Sequence, residues 1–172
     1  MTKYHHKESD LQIRCVKHFR VKYPAFARLL EHPKNEGSGH SARDRASQAI
    51  AKAEGVQAGV ADLIFHCPSY MTSVDGVPQE EPAFFFSLAI EMKDKNGRQS
   101  PEQKLFQRYF EAAGGRYLII RSFESFCKDV DEYMAGIPFI VKCNVETLHK
   151  QIDQECTAAA REELQRIIHK ND

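Results

Sequence analysis

The triplet Glu91-Met92-Lys93 and the upstream Asp62 are the residues of this chain best suited to chemistry. Carboxylates are hard oxygen donors of the kind that Mg²⁺ or Mn²⁺ takes. An ammonium beside them can neutralise negative charge as it develops in a reaction. The plainer rival is a structural ion pair between Glu91 and Lys93, with Asp62 as a turn residue. The triplet closes a strongly apolar, Phe-rich run over residues 83–90. Charged groups at the end of a buried strand are costly unless they pair or react.

The run over 83–90 is too short for a helix and reads as a buried strand, with Phe84–Phe86 in the core. Side chains alternate along a strand, so Glu91 and Lys93 share one face while Ile90 and Met92 share the other. Asp62 opens a second apolar run, Leu63-Ile64-Phe65. Asp75-Gly76-Val77-Pro78, near the midpoint between Asp62 and Glu91, carries turn chemistry. An antiparallel pairing of the two strands brings Asp62, Glu91 and Lys93 to one spot. Residues 67–83 then read as a long polar hairpin loop.

Around these strands, residues 8–22 have helical spacing through Leu11, Cys15, Val16 and Phe19, and Pro24 stops the helix. Residues 31–42 read as a polar, glycine-bearing loop and 43–54 as a second helix. Ser100-Pro101-Glu102-Gln103 has the pattern of a helix start, with Ser as cap, Pro in the first turn and Gln103 closing a capping box. Gly114-Gly115 ends that helix. A third strand follows over 117–120, then a helix capped by Ser122. Ile140-Val141 reads as a short edge strand, and 145–169 as a final amphipathic helix. The expected class is α/β: a small mixed sheet flanked by helices, in one domain over 1–172 with a core at about 8–134 and a C-terminal extension over 138–172.

With 172 residues, 42% hydrophobic and 28% charged, the composition is that of an ordinary soluble protein. No run approaches the length of a membrane span, and the N-terminus is too polar for a signal peptide. Five scattered cysteines without a C-x-x-C pair point to a reducing, cytoplasmic compartment. His66-Cys67 lacks a second pair to complete a metal site and reads as a strand end. Zero net charge hides an asymmetry: residues 1–60 hold eleven Lys/Arg against six Asp/Glu, and 61–172 hold thirteen against eighteen. A basic first third suits an anionic partner met by the N-terminal elements.

The ordered set Gly59-Val60-Ala61-Asp62-Leu63, Ile90-Glu91-Met92-Lys93 and Gly97-Arg98-Gln99-Ser100-Pro101-Glu102-Gln103 resembles the virus-type replication-repair nuclease (VRR-Nuc) domain of the PD-(D/E)xK nuclease superfamily. The resemblance covers roughly residues 8 to 134. It extends to an acidic residue near the start of the first helix, Glu8, and to a Pro-Asn-type loop at Pro33-Lys34-Asn35. Ala61 stands where the family usually has Pro, at a position that shapes backbone and offers no ligand. Lys34 is an insertion between the loop's Pro and Asn.

The resemblance implies a metal-dependent DNA endonuclease. Asp62, Glu91 and the Met92 backbone carbonyl bind Mg²⁺ or Mn²⁺. Lys93 orients or helps deprotonate the attacking water. Glu8 is a further candidate ligand, direct or through water, and Gln103 is placed to position Lys93 or the scissile phosphate. The bland roles for these two are helix-terminus favouring and box closure. Arg14, Lys17, Arg43, Arg45 and Lys52 are candidates for DNA-backbone contacts. Stand-alone members resemble phage or prophage proteins, and some act as homodimers on branched DNA. Structure-selective cleavage of four-way (Holliday) junctions is therefore the leading expectation. The alternatives are a non-cleaving DNA-binding or assembly subunit that keeps the fold, and an unrelated small α/β enzyme in which Glu91 and Lys93 only pair.

Overall fold

A computed structural model describes residues 7–33 and 42–169; the side chains of 42–46, 48 and 161–169 are outside that description. The elements in chain order are α1 (Lys7–Lys22), a 3₁₀ helix (Pro24–Leu29), β1 (Leu30–Glu31), α2 (Ala42–Ala53), β2 (Leu63–Phe65), β3 (Ser69–Val74), β4 (Val77–Phe85), β5 (Leu88–Met92), α3 (Pro101–Ala112), β6 (Arg116–Ile120), α4 (Phe123–Ala135) and α5 (Phe139–His169). Four strands make a mixed sheet in the order β1-β2-β5-β6. β1–β2 and β2–β5 are antiparallel, and β5–β6 is parallel, joined by the α3 crossover. The class is α/β, as the element pattern predicts.

The alternation of β5 sorts the two faces of the sheet. Leu88, Ile90 and Met92 join Leu63, Phe65 and Ile120 against Cys15 and Phe19 of α1 and Phe126, Val130 and Tyr133 of α4. Phe65 sits at the centre, its ring edge-on to Phe19, Phe26 and Tyr133. On the opposite face Ala61, Ala89 and Tyr117 pack under Phe106 and Phe110 of α3. Helices cover both sides, so every β5 residue is buried, Glu91 included. The alanines keep that second face shallow, and Gly59 lets the chain press on the start of α3. With φ of +80°, it lies so close that a Cβ would stand 2.6 Å from the Gln103 amide nitrogen.

The antiparallel β2–β5 pairing expected from the sequence is present, with Leu63 opposite Ile90. Other expectations need correction. Residues 83–90 are not one strand: β4 ends at Phe85, and β5 begins at Leu88 after a break at Phe86-Ser87. Phe84 and Phe86 are accordingly not core, being 39% and 63% exposed. The polar stretch over 67–83 is not a loop but forms most of a β3–β4 ribbon, its turn at Asp75-Gly76 with both φ angles positive. Ile140-Val141 is not a strand; both residues lie in α5, which begins at Phe139 and not at 145. Nothing marks that start except Pro138, which suits the first turn of a helix as well as it breaks one. Leu30-Glu31 forms the edge strand β1, at the head of what reads as a loop. Lys34 and Asn35 lie outside the described residues.

Candidate functional site

The register places Met92 opposite Ile120 where β5 and β6 end, and the Lys93 amide extends the ladder by donating to the Ile120 carbonyl at 2.9 Å. Open α/β sheets place their ligands just beyond the carboxyl ends of parallel strands. Asp62 immediately precedes β2, whose start lies beside the end of β5. Its Oδ2 accepts the Met92 amide hydrogen at 2.7 Å. That bond fixes one carboxylate oxygen to the backbone of the Glu91-Met92-Lys93 triplet.

Glu91 projects to the α3 side and is 1% exposed. Three donors converge on it. Lys93 Nζ reaches Oε1 at 2.6 Å, Gln103 Nε2 reaches the same oxygen at 2.5 Å, and the Tyr117 hydroxyl donates to Oε2 at 3.2 Å. Gln103 can do this because its other end is fixed. Its Oε1 accepts the Ser100 amide and its own amide donates to Ser100 Oγ, the complete capping box. Gln103 therefore spans helix cap and carboxylate, and its contact is with Glu91.

Glu8 arrives from the first turn of α1. Its Oε1 accepts the Asp94 amide at 2.9 Å, just past Lys93. Gly97 closes over this contact: a Cβ there would lie 3.2 Å from both Glu8 Oε1 and Lys93 Cδ. Arg121, following β6, donates from Nη1 to the Asp94 and Gly97 carbonyls at 2.6 and 2.9 Å and so ties the 94–97 turn down.

The electrostatics follow from burial. Desolvation pushes the Asp62 carboxyl above its ordinary pKa, opposed by the Met92 amide and the Lys93 charge and aided by Glu8. Desolvation also raises Glu91, with Lys93 and Tyr117 pulling it down and Asp62 pushing it up. Burial raises the Tyr117 hydroxyl, with Glu91 adding to the effect, so the hydroxyl stays protonated and donates. The site thus holds more acid than Lys93 alone offsets.

That donor set fits a small divalent cation. Asp62, Glu91 and the Met92 carbonyl are hard oxygen donors beside one another. Among the described residues no group of three His, Cys, Asp or Glu could hold a metal by itself. An ion that takes one or two carboxylates and keeps several waters suits such a place, and Mg²⁺ is the prime example.

No protein-family model matches this sequence, and no curated protein does. Among solved structures, a VRR_NUC domain protein is similar to it at 17% identity and a TM-score of 0.56, over 74% of this chain and 88% of that one. The fold is that of a VRR_NUC domain. On this VRR_NUC fold, Asp62, Glu91, Met92, Lys93, Gln103 and Glu8 gather at one end of the sheet.

The expected DNA contacts do not gather in the same way. Arg14 lies with its guanidinium 4.8 Å from the centre of the Phe123 ring, turned toward α4. Lys17 and Lys52 are exposed, on α1 and α2. The side chains of Arg43 and Arg45 lie outside the described residues, although both positions belong to α2. His66 is exposed and pairs with Glu31 at 2.8 Å, while Cys67 is buried, which agrees with a strand end.

Sequence reasoning missed three groups at the site. Tyr117 was within reach of it, because two residues before Ile119, the parallel partner of Glu91, a side chain shares the Glu91 face. Arg121 carried no signal beyond its place at a strand end. His32, whose Nδ1 lies 2.5 Å from the Asp62 carbonyl oxygen and donates to it as the Nδ1–H tautomer, sits in what reads as a featureless loop.

Proposed function

We propose that this protein is a divalent-metal-dependent DNA endonuclease that selects branched DNA, the four-way junction foremost, in replication, recombination or repair. The observation that carries this reading is the meeting of buried Glu91 and Lys93 with Asp62 at the carboxyl end of β5, on a VRR_NUC fold. The non-cleaving alternative leaves that buried charge without a purpose.

Asp62, Glu91 and the Met92 carbonyl would hold Mg²⁺ or Mn²⁺. The bound ion would supply Lewis-acid charge at the phosphoryl oxygen and ease deprotonation of water. Lys93 has its ammonium on Glu91 Oε1, where it orients the attacking water and stabilises charge on the phosphorane-like transition state. Gln103 and Tyr117 hold the Glu91 carboxylate in one rotamer through opposite oxygens. The α3 N-terminus adds a field that favours an anionic phosphate. Glu8 lies close enough to Asp62 to raise its pKa, and serves as a water-mediated ligand.

Exposed Lys95 and Arg98 flank the site and offer charge without base-specific reach, which agrees with selection by DNA shape. Labelled linear, flap, splayed and four-way-junction DNA, incubated with Mg²⁺, Mn²⁺ or EDTA beside an Asp62→Ala control, tests the proposal. Metal-dependent cutting lost in the control is expected, with paired symmetric nicks on the junction if two copies act together. Binding without cutting under every condition would overturn it.

A further inference from the structure

A groove of about 370 Å³ runs along α1 and opens beside the Asp62 end of the sheet. One wall is a single helical stripe, Ser9, Gln12, Ile13, Val16, Lys17 and Arg20, spaced three and four residues apart. The other wall is Leu30, His32 and Leu63, from β1, the residue following it, and β2. His32 ties this wall to the site, since its Nδ1 donates to the Asp62 carbonyl.

The lining has a definite chemistry. It contains two cations and a histidine but no acidic residue, in a chain whose net charge is zero. Lys17 and Arg20 are exposed and one helical turn apart, and among the described residues no ion pair engages either. Between them and the site the floor is aliphatic, with Ile13 52% exposed. From Ser9 to Arg20 the stripe extends about 16 Å at 1.5 Å per residue. A cationic edge suits the phosphates of a single nucleic-acid strand, and the aliphatic floor offers the bases apolar contact in place of aromatic stacking.

We infer that the α1–β1 groove binds one unpaired strand of DNA and leads it to or from the scissile phosphate. This deepens the nuclease reading and rests on it for the direction of the strand. It adds branched DNA with a single-stranded arm, as in a flap or splayed end, to the substrates the site takes beside the four-way junction.

The test is fluorescence anisotropy with labelled oligothymidylate in EDTA, so that binding is read without cutting. Lys17→Ala combined with Arg20→Ala should weaken binding at least tenfold and lower the slope of log affinity against log salt by about 1.4, the share of two phosphate contacts on a single strand. Ile13→Glu, which places an acid on the floor, should weaken binding as strongly. Both variants change exposed residues, so their melting temperatures should match the parent's, and that is measured alongside. Parent-like affinity in both folded variants, or no oligothymidylate binding by the parent, would overturn the groove. If the parent binds and the variants do not, yet the parent cuts no substrate with Mn²⁺, the groove stands and the nuclease reading fails.

Discussion

The two ends of the parallel β5–β6 pair hold the buried charged residues seen among the described ones, Glu91 and Lys93 at one end and Arg116 at the other. At the Arg116 end the buried cation contacts one carboxylate directly, with Asp129 within electrostatic range as a second. Its Nη2 contacts Asp75 Oδ1 at 2.5 Å, and Asp75 is 74% exposed, at the tip of the β3–β4 ribbon. The pair pins the ribbon's turn to the foot of β6, with the acid side still hydrated. At the other end two carboxylates, with Glu8 near, face one ammonium, and both carboxyls are held above their ordinary pKa values by burial. A direct ion pair whose acid stays hydrated suits a clamp; two buried carboxylates sharing one ammonium beyond the carboxyl end of a strand suit a place that receives a cation.

Lys93→Ala attacks the comparison where the largest effect is expected. If Lys93 stabilises transition-state charge, kcat should fall by about 10²–10³, the loss typical for removing one such donor. Removing it also leaves Glu91 with less compensation, so thermal unfolding must be measured beside single-turnover cutting. A variant that folds with parent-like stability and cuts normally would show that Lys93 is only a structural partner.

Asp75→Asn tests the opposite end. Asn tolerates the φ of 53° at this position, so the turn is kept and only the charge is lost. Arg116 then loses its directly bonded anion, and Asp129 remains within electrostatic range. The expected cost is about 1–2 kcal/mol, discounted for the exposure of Asp75, or roughly 2–8 °C in melting temperature. Cutting per folded molecule should not change. Arg116→Met, which removes the buried charge itself, should be milder; if it is worse than Asp75→Asn, the clamp account is wrong.

How much of this could be read from the sequence depended on whether the signal was local. The site strands, the α3 capping box and the Asp62–Glu91 approach were legible, because alternation, turn residues and Ser-Pro-x-Gln each carry their own geometry. The fate of Phe84 and Phe86 was not. A continuous apolar run does not show where a chain leaves one sheet for another, and the break at Phe86-Ser87 depends on β4 pairing with β3. His32 was illegible for a similar reason, since its contact to Asp62 exists only once β1 has paired with β2.

Asp62→Asn asks whether excess acid costs stability in the absence of metal. A carboxyl whose folded pKa is raised contributes stability at pH values below its unfolded pKa, and loses it as pH rises through the folded one. At neutral pH Asp62 is therefore a burden. Asn keeps the acceptor for the Met92 amide and removes the charge. The variant should melt at a higher temperature than the parent in EDTA. Mg²⁺ or Mn²⁺ should then raise the parent's melting temperature and leave the variant's nearly unmoved. A variant less stable than the parent in EDTA would place Asp62 among the structural pairs.

Tyr117→Phe should have the smallest effect, and it separates positioning from packing. The ring packs against α3 with Phe106 and is kept, while the hydroxyl that donates to Glu91 Oε2 is lost. One donor that favours the charged carboxylate disappears, so the Glu91 pKa should rise further. The acid limb of the pH–rate profile should move to higher pH, and the loss of roughly two- to fivefold in kcat near neutrality, small for a bond to a carboxylate because this one is 3.2 Å long, should shrink as pH is raised. A purely structural hydroxyl would lower the melting temperature and leave the profile in place. Because Gln103 and Lys93 still hold Oε1, the carboxylate keeps its position, and the change registers as acidity before it registers as geometry.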